Sequence, residues 1–297
     1  MLSIIQIVSC LLFCIIIKSQ NTNSSTSASQ VNIPEREVII KGNYFFNQQD
    51  GSRFFIKGLV YQHRFEIDVD PLTLDESLCN YYAKLTSDIG ANAVLVYSID
   101  AKKDHSQCMN IFKKYKIQVV LGMNTIATRD EKMNSVYGVD DYSSMELIVQ
   151  EFLKYSNFMG FIAGFESKEL LKSEDNYETS LSISKAIIRD TKGIIKEQSK
   201  NVKGLKSLPI IGLSVRSDLK QKLDSYTNYF TCPEDNSDTR PDFISFSSLN
   251  MCNKLKLPNS VDFDTFPWNS YPVPLFFSEI GCDDSDTRTF DMVICNL

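Results

Sequence analysis

Seven short apolar runs, separated by longer amphipathic segments, constrain what this chain can fold into more than any other feature of its sequence. They cover residues 53–62, 93–99, 117–123, 158–166, 208–215, 243–249 and 273–280. Runs of this length, bounded by polar residues, read as strands buried on both faces, as parallel sheets require. Helical patterns run from Asp75 to Ile89, His105 to Tyr115, Ser144 to Tyr155 and Tyr177 to Lys200. The acidic residues that open the first of these suit a helix N-terminus. Alternation sustained over about 240 residues implies parallel βαβ units in one α/β domain, with a (β/α)8 TIM barrel as the expected form.

Such a barrel closes when an eighth strand pairs with the first. Only a possible helix at Thr287 to Ile294 follows the seventh run. The expectation is therefore a barrel lacking its last β/α unit, with an exposed edge on strand one. Ahead of the alternation lie two β-rich segments, Glu37 to Phe46 and Arg53 to Gln62, with a turn at Asn47 to Gly51 whose sharpest signal is Asp50-Gly51. Phe45, Phe46, Phe54 and Phe55 read as core. Residues 1–20, apolar from Leu2 to Ile17, read as a secretory signal peptide, and 21–35 as a flexible polar tail carrying the sequon Asn23-Ser24-Ser25. The barrel is assigned to residues 36–297.

A net charge of −6 argues against nucleic acid or an anionic membrane as partner and leaves a neutral polysaccharide open. Beyond the leader stand Cys79, Cys108, Cys232, Cys252, Cys282 and Cys295, an even number that suggests disulfides in a secreted chain. No C-x-x-C occurs, and His63 and His105 are the only histidines. No metal site, cofactor or Ser-His-Asp centre is expected. His63 reads as a loop residue and His105 as the start of a helix, neither with an assigned role.

Two of the runs end on a glutamate, Glu166 after Phe158–Phe165 and Glu279 after Val273–Ser278. The carboxyl ends of barrel strands carry the active site, so the two can meet there. Paired carboxylates are the usual equipment of glycoside chemistry. Tyr61, Gln62 and Tyr97 also stand at carboxyl ends and are expected to face a sugar.

Several stretches then match a known family. They are Lys57-Gly58 with Tyr61-Gln62, Asp70-Pro71-Leu72, Val96-Tyr97-Ser98-Ile99-Asp100, His105-x-x-Cys108 and Asn124-Thr125. Gly160-Phe161 with Ala163-Gly164-x-Glu166, and Phe276-Phe277-Ser278-Glu279-x-Gly281-Cys282, complete the series. In this order the chain resembles fungal glycoside hydrolase family 72, the cell-wall β-1,3-glucanosyltransferases. The resemblance implies a secreted enzyme, usually lipid-anchored, that cleaves β-1,3-glucan with retention and transfers the new end to another glucan chain. It places Glu166 at the acid/base position and Glu279 at the nucleophile, with the carboxyls roughly 5–5.5 Å apart as retention requires. Gln62, Tyr97 and Asn124 match retained neighbours of that pair. Cys79–Cys108 and Cys252–Cys282 correspond to family disulfides, whereas the usual partner of Cys232 lies further downstream. The ending Phe290 to Leu297 is not an anchor signal, so membrane association is expected only through an anchor in a longer form.

The departures from the family gather around the pair. Phe165 stands where the family has Asn, Leu95 where it has Arg, and Gly122 where it has Asp. In the sixth run Ser245-Phe246-Ser247-Ser248-Leu249-Asn250-Met251-Cys252 replaces Gly-Leu-Asn-Met-Tyr-Glu-Trp-Cys, and Ile280 replaces a Tyr after Glu279. One lost polar helper typically costs about 10²–10³ in rate. A glucan-binding form with impaired catalysis, or a decayed fragment of the family, is therefore the alternative expectation.

Overall fold

A computed structural model of the chain describes residues 32–62, 69–123, 137–163, 174–200, 202, 205–216, 228–232, 238–248, 271–280 and 294–295. Seven parallel strands form the sheet: β3 (Lys57–Val60), β4 (Ala93–Val96), β5 (Gln118–Gly122), β6 (Phe158–Ile162), β7 (Ile210–Arg216), β8 (Phe243–Ser248) and β9 (Leu275–Ile280). They pair in sequence order. Helices α1 (Glu76–Asp88), α2 (Ser106–Lys114), α3 (Val139–Leu153) and α4 (Glu174–Ser199) alternate with them. Among the described residues this is the parallel, helix-flanked strand array of the expected TIM barrel.

Two of the helices, α1 and α3, start where a polar side chain accepts from a free backbone N–H group. Asp75 accepts from the Leu78 N–H at 3.1 Å to open α1. Asp141 accepts from the Gly138 N–H at 2.8 Å, which starts α3 at Val139, ahead of the predicted Ser144. Each helix then buries one stripe: Cys79 and Ala83 on α1, Cys108, Met109 and Phe112 on α2, Val149 and Phe152 on α3, Ile187, Ile188 and Ile195 on α4. The disulfide Cys79–Cys108 joins α1 to α2, Cα atoms 5.4 Å apart. Cys252 and Cys282 lie outside the described residues.

Strand alternation divides the apolar residues into two clusters. Val94, Val96, Val119, Leu121, Phe161, Leu213, Phe246 and Phe277 meet the helices. Ala93, Leu95, Val120, Ile162, Ile210, Phe243 and Phe276 face the barrel interior. Its amino end is closed by an antiparallel hairpin of β1 (Val38–Lys41) and β2 (Tyr44–Asn47). Phe45 of that hairpin packs edge-on against Phe243 and Phe276, at centroid distances of 6.0 and 5.7 Å.

Several expectations change. The first β-rich segment folds back on itself at Gly42, whose φ of 59° suits a residue without Cβ. Phe55 is 48% exposed rather than core, lying beside the Arg53 guanidinium. Ile33 is buried and Glu35 accepts from Ser207 and Gln48, so the tail assigned to 21–35 overlaps packed chain at residues 32–35. Ile294 belongs to a two-residue strand, β10 (Ile294–Cys295), and not to a helix. β10 pairs antiparallel with Lys57 and Gly58, covering part of the edge expected to be bare. Residues Val31–Leu297 form one compact unit. Residues 1–31, with the predicted leader and sequon, lie outside the described residues. No helix among the described residues is long and apolar enough to cross a membrane.

Candidate active site

Glu279 enters the barrel through an irregularity. Phe246 pairs with Phe277, but the next residue, Ser247, pairs with Glu279, leaving Ser278 as the extra residue of a β-bulge. Phe277 faces the helices, so strict alternation would turn Glu279 outward as well. The bulge reverses this, and both Ser278 and Glu279 point inward. Ser278 takes up the space between strands, with its hydroxyl 2.9 Å from that of Ser214 and 3.3 Å from the Phe246 carbonyl it donates to.

The Glu279 carboxylate is 6% exposed and held at both oxygens. The Tyr97 hydroxyl donates to Oε1, and the Ser247 hydroxyl donates to Oε2 at 2.8 Å. Burial, followed by the nearby Glu279 charge and hydrogen bond, raises the Tyr97 phenol well above its ordinary value, so Tyr97 remains the donor. Gln62, just past β3, donates to Ser98 at 3.3 Å, which joins the loops after β3 and β4. Leu95 faces the interior below this group, and Gly122 lies beside Tyr97 on the neighbouring strand.

Tyr61 is placed elsewhere. Adjacent strand residues face opposite ways, and Tyr61 is on the helix side of the sheet from Gln62. Its ring packs edge-on between Tyr82 and Phe112, at 5.5 and 5.3 Å. Its buried hydroxyl has no hydrogen-bond partner among the described residues. Among the described residues the contacts of the Tyr61 ring are therefore with α1 and α2. Glu166 and Asn124 lie outside the described residues, as do Phe165 and Leu249. β6 ends at Ile162, four residues before Glu166.

A second charged group was missed by the sequence reading. His105 is fully buried, with Nε2 2.8 Å from Asp70 and Nδ1 3.0 Å from Glu151. A carboxylate only accepts, so both ring nitrogens carry protons and the imidazole is a cation. Burial opposes that charge, but the bonds to Asp70 and Glu151 prevail and lift its pKa to about 9. Asp70 also accepts from the Asp100 N–H at 2.8 Å, and Glu151 from the Tyr155 hydroxyl at 2.9 Å. The segments after β3 and β4 and the last turn of α3 are thereby tied to one ring. The available signal was His105-x-x-Cys108 beside Asp70-Pro71, two motifs that spacing alone does not connect.

Among the described residues no cluster of His, Cys, Asp and Glu has the arrangement of a metal site. The chemistry on view is that of an oriented carboxylate at the carboxyl end of a barrel strand, suited to attack or to charge stabilisation.

Comparison with known proteins sets this geometry in context. The family profile described as Glucanosyltransferase matches residues 26–296. The 1,3-beta-glucanosyltransferase PGA4 of Candida albicans is 30% identical over 260 residues, covering 86% of this chain and 55% of that protein. The 1,3-beta-glucanosyltransferase GAS5 of Saccharomyces cerevisiae is also 30% identical, covering 86% and 51%. The fold is shared with Saccharomyces cerevisiae Gas2p in complex with laminaripentaose, at 24% identity and a TM-score of 0.68, covering 86% of this chain and 56% of that one. The chain spans about half the length of the relatives it matches.

Proposed function

The chain belongs to the glucanosyltransferase family, glycoside hydrolase family 72, and from that premise we propose that it cleaves and religates β-1,3-glucan with retention. The observation that carries the reading is Glu279, turned into the carboxyl end of the barrel and held at both oxygens by Tyr97 and Ser247.

In this mechanism ionised Glu279 attacks the anomeric carbon. The bond to the leaving oxygen breaks as Glu166 gives that oxygen a proton. A glycosyl ester on Glu279 results. Glu166, now a carboxylate, takes a proton from the 3-hydroxyl of an acceptor glucan, which attacks the same carbon and releases Glu279. The two hydroxyl donors fix the attacking oxygen and stabilise the carboxylate as it departs in the second step. Gln62 and Asn124 are assigned to sugar contacts. Laminaripentaose in the related Gas2p supports β-1,3-glucan as the substrate class. Within the same proposal, residues 1–20 are the secretory leader, Cys252–Cys282 a second disulfide, and the cell surface or wall the site of action.

A second reading is a glucan-binding protein with impaired catalysis. The observation in its favour is that Leu95 and Gly122 present no polar group in the barrel interior. Incubation of purified protein with a reduced laminari-oligosaccharide separates the two. Products longer than the substrate, lost in Glu279→Gln, support transfer. Unchanged substrate from a folded sample that still binds the oligosaccharide supports the second reading and removes the first.

A further inference from the structure

Two interior glycines of the barrel leave room for a ring from a neighbouring strand. At Gly212 a Cβ would lie 1.9 Å from Cζ of Phe243, among the apolar residues at the amino end. At Gly122 it would lie 2.4 Å from Cδ1 and 2.7 Å from Cε1 of Tyr97. Atoms of this kind cannot approach so closely, so any side chain at Gly122 displaces the ring. The first glycine serves packing. The second admits a ring whose hydroxyl ends on the candidate nucleophile.

The register explains the contact. Val96 of β4 pairs with Leu121 of β5, so the next residues, Tyr97 and Gly122, lie side by side facing inward. Tyr97 lies across Gly122 and donates to Oε1 of Glu279, while Ser247 donates to Oε2 from the other side. We propose that Gly122 is a positioning residue for Glu279: its missing side chain seats the Tyr97 ring, completing a two-hydroxyl cradle on the carboxylate. Gly122 is then part of a rebuilt site rather than a lost helper. The cradle orients Glu279 with neutral donors, where the family resemblance places an Arg and an Asp at the positions of Leu95 and Gly122. This rests on Glu279 being the nucleophile, but the seat itself can be tested without that premise.

The test is a double-mutant cycle of Gly122→Ala and Tyr97→Phe, read in both melting temperature and transfer rate. Tyr97→Phe removes one hydrogen bond and is expected to lower the melting temperature by roughly 2–4 °C. In the Gly122→Ala background the same change should do nothing, because the ring has already left. In transfer, each single variant should lose about 10²–10³ and the double variant no more than either. Additive losses in melting temperature overturn the proposal. If Gly122→Ala does not fold alone, Tyr97→Ala in the same chain removes the obstructing ring and should restore a cooperative transition. A chain that stays unfolded after that change also overturns it. Absence of transfer in the unmodified protein would remove the catalytic reading while leaving the melting-temperature cycle to decide the seat.

Discussion

This barrel holds carboxylates in two clusters and partners them in opposite ways. Around His105 an imidazolium lies between Asp70 and Glu151, and each charge meets its opposite at hydrogen-bond distance. Around Glu279 the described partners are two hydroxyls, which orient the charge without cancelling it. The first cluster cross-ties the β3 and β4 loops to α3, and its charge is committed to the fold. The second keeps a carboxylate able to form a bond. Burial is similar, so the difference in role comes from the partners.

The largest expected effect breaks the reactive side of this comparison. Glu279→Gln should lower transfer by about 10⁴-fold or more, because the nucleophile is lost outright. Its melting temperature should stay level or rise, since a buried charge with no cation among the described residues has been removed. A marked loss of stability instead would mean that Glu279 is as structural as the His105 cluster.

His105→Ala should show the reverse pattern. It leaves the buried Asp70 without its cation, while Glu151 keeps Lys154 at 2.7 Å, and should cost roughly 3–5 kcal/mol in denaturant unfolding. The pH dependence sharpens this. The His105 pKa rises from 6.5 unfolded to about 9 folded, so its contribution is complete below pH 6.5 and is lost as the pH climbs through 9. Glu151 moves the other way. Burial raises it, but the His105, Lys154 and Tyr155 bonds prevail and lower it from 4.5, so its contribution holds above that pH and is lost in acid. Unfolding free energy measured from pH 6 to 9.5 should fall in the unmodified protein. That decline should flatten in His105→Gln, and an unchanged decline would refute the assignment.

A smaller effect is expected from the neighbouring cross-link. Replacing Cys79 and Cys108 with Ala should cost roughly 2–4 kcal/mol, mainly by freeing the unfolded chain. It should leave the pH slope in place, because the slope belongs to His105. The smallest change is Ser247→Ala, with about 1 kcal/mol of stability lost and roughly tenfold in transfer. A loss as large as that of Glu279→Gln would mean that Ser247 does more than orient.

Much of the fold was legible in the linear pattern. Parallel strands buried on both faces need uninterrupted apolar runs, and the seven runs mark β3 to β9 to within a few residues, apart from the long first run that shortens to Lys57–Val60. The stripe Ile187, Ile188, Thr191, Ile194 and Ile195 marked the buried face of α4. Less of the site was legible. Tyr61 and Gln62 both follow a strand, but side chains one residue apart tend to face opposite sides, so the pattern alone does not say which of them faces the barrel interior. Which one does depends on how the strand is turned against α1 and α2.

The sequence alone determined the alternation and the position of Glu279 near a strand's carboxyl end, because these follow from local periodicity and backbone chemistry. Only the tertiary structure decided which way Glu279 faces, since one extra residue at Ser278 inverts the alternation and only pairing with β8 reveals it. The same holds for the charge on His105, whose two carboxylates lie 35 residues before and 46 residues after it in the chain. It holds too for Gly122, which becomes informative once the ring of Tyr97 is found in the space its side chain would fill.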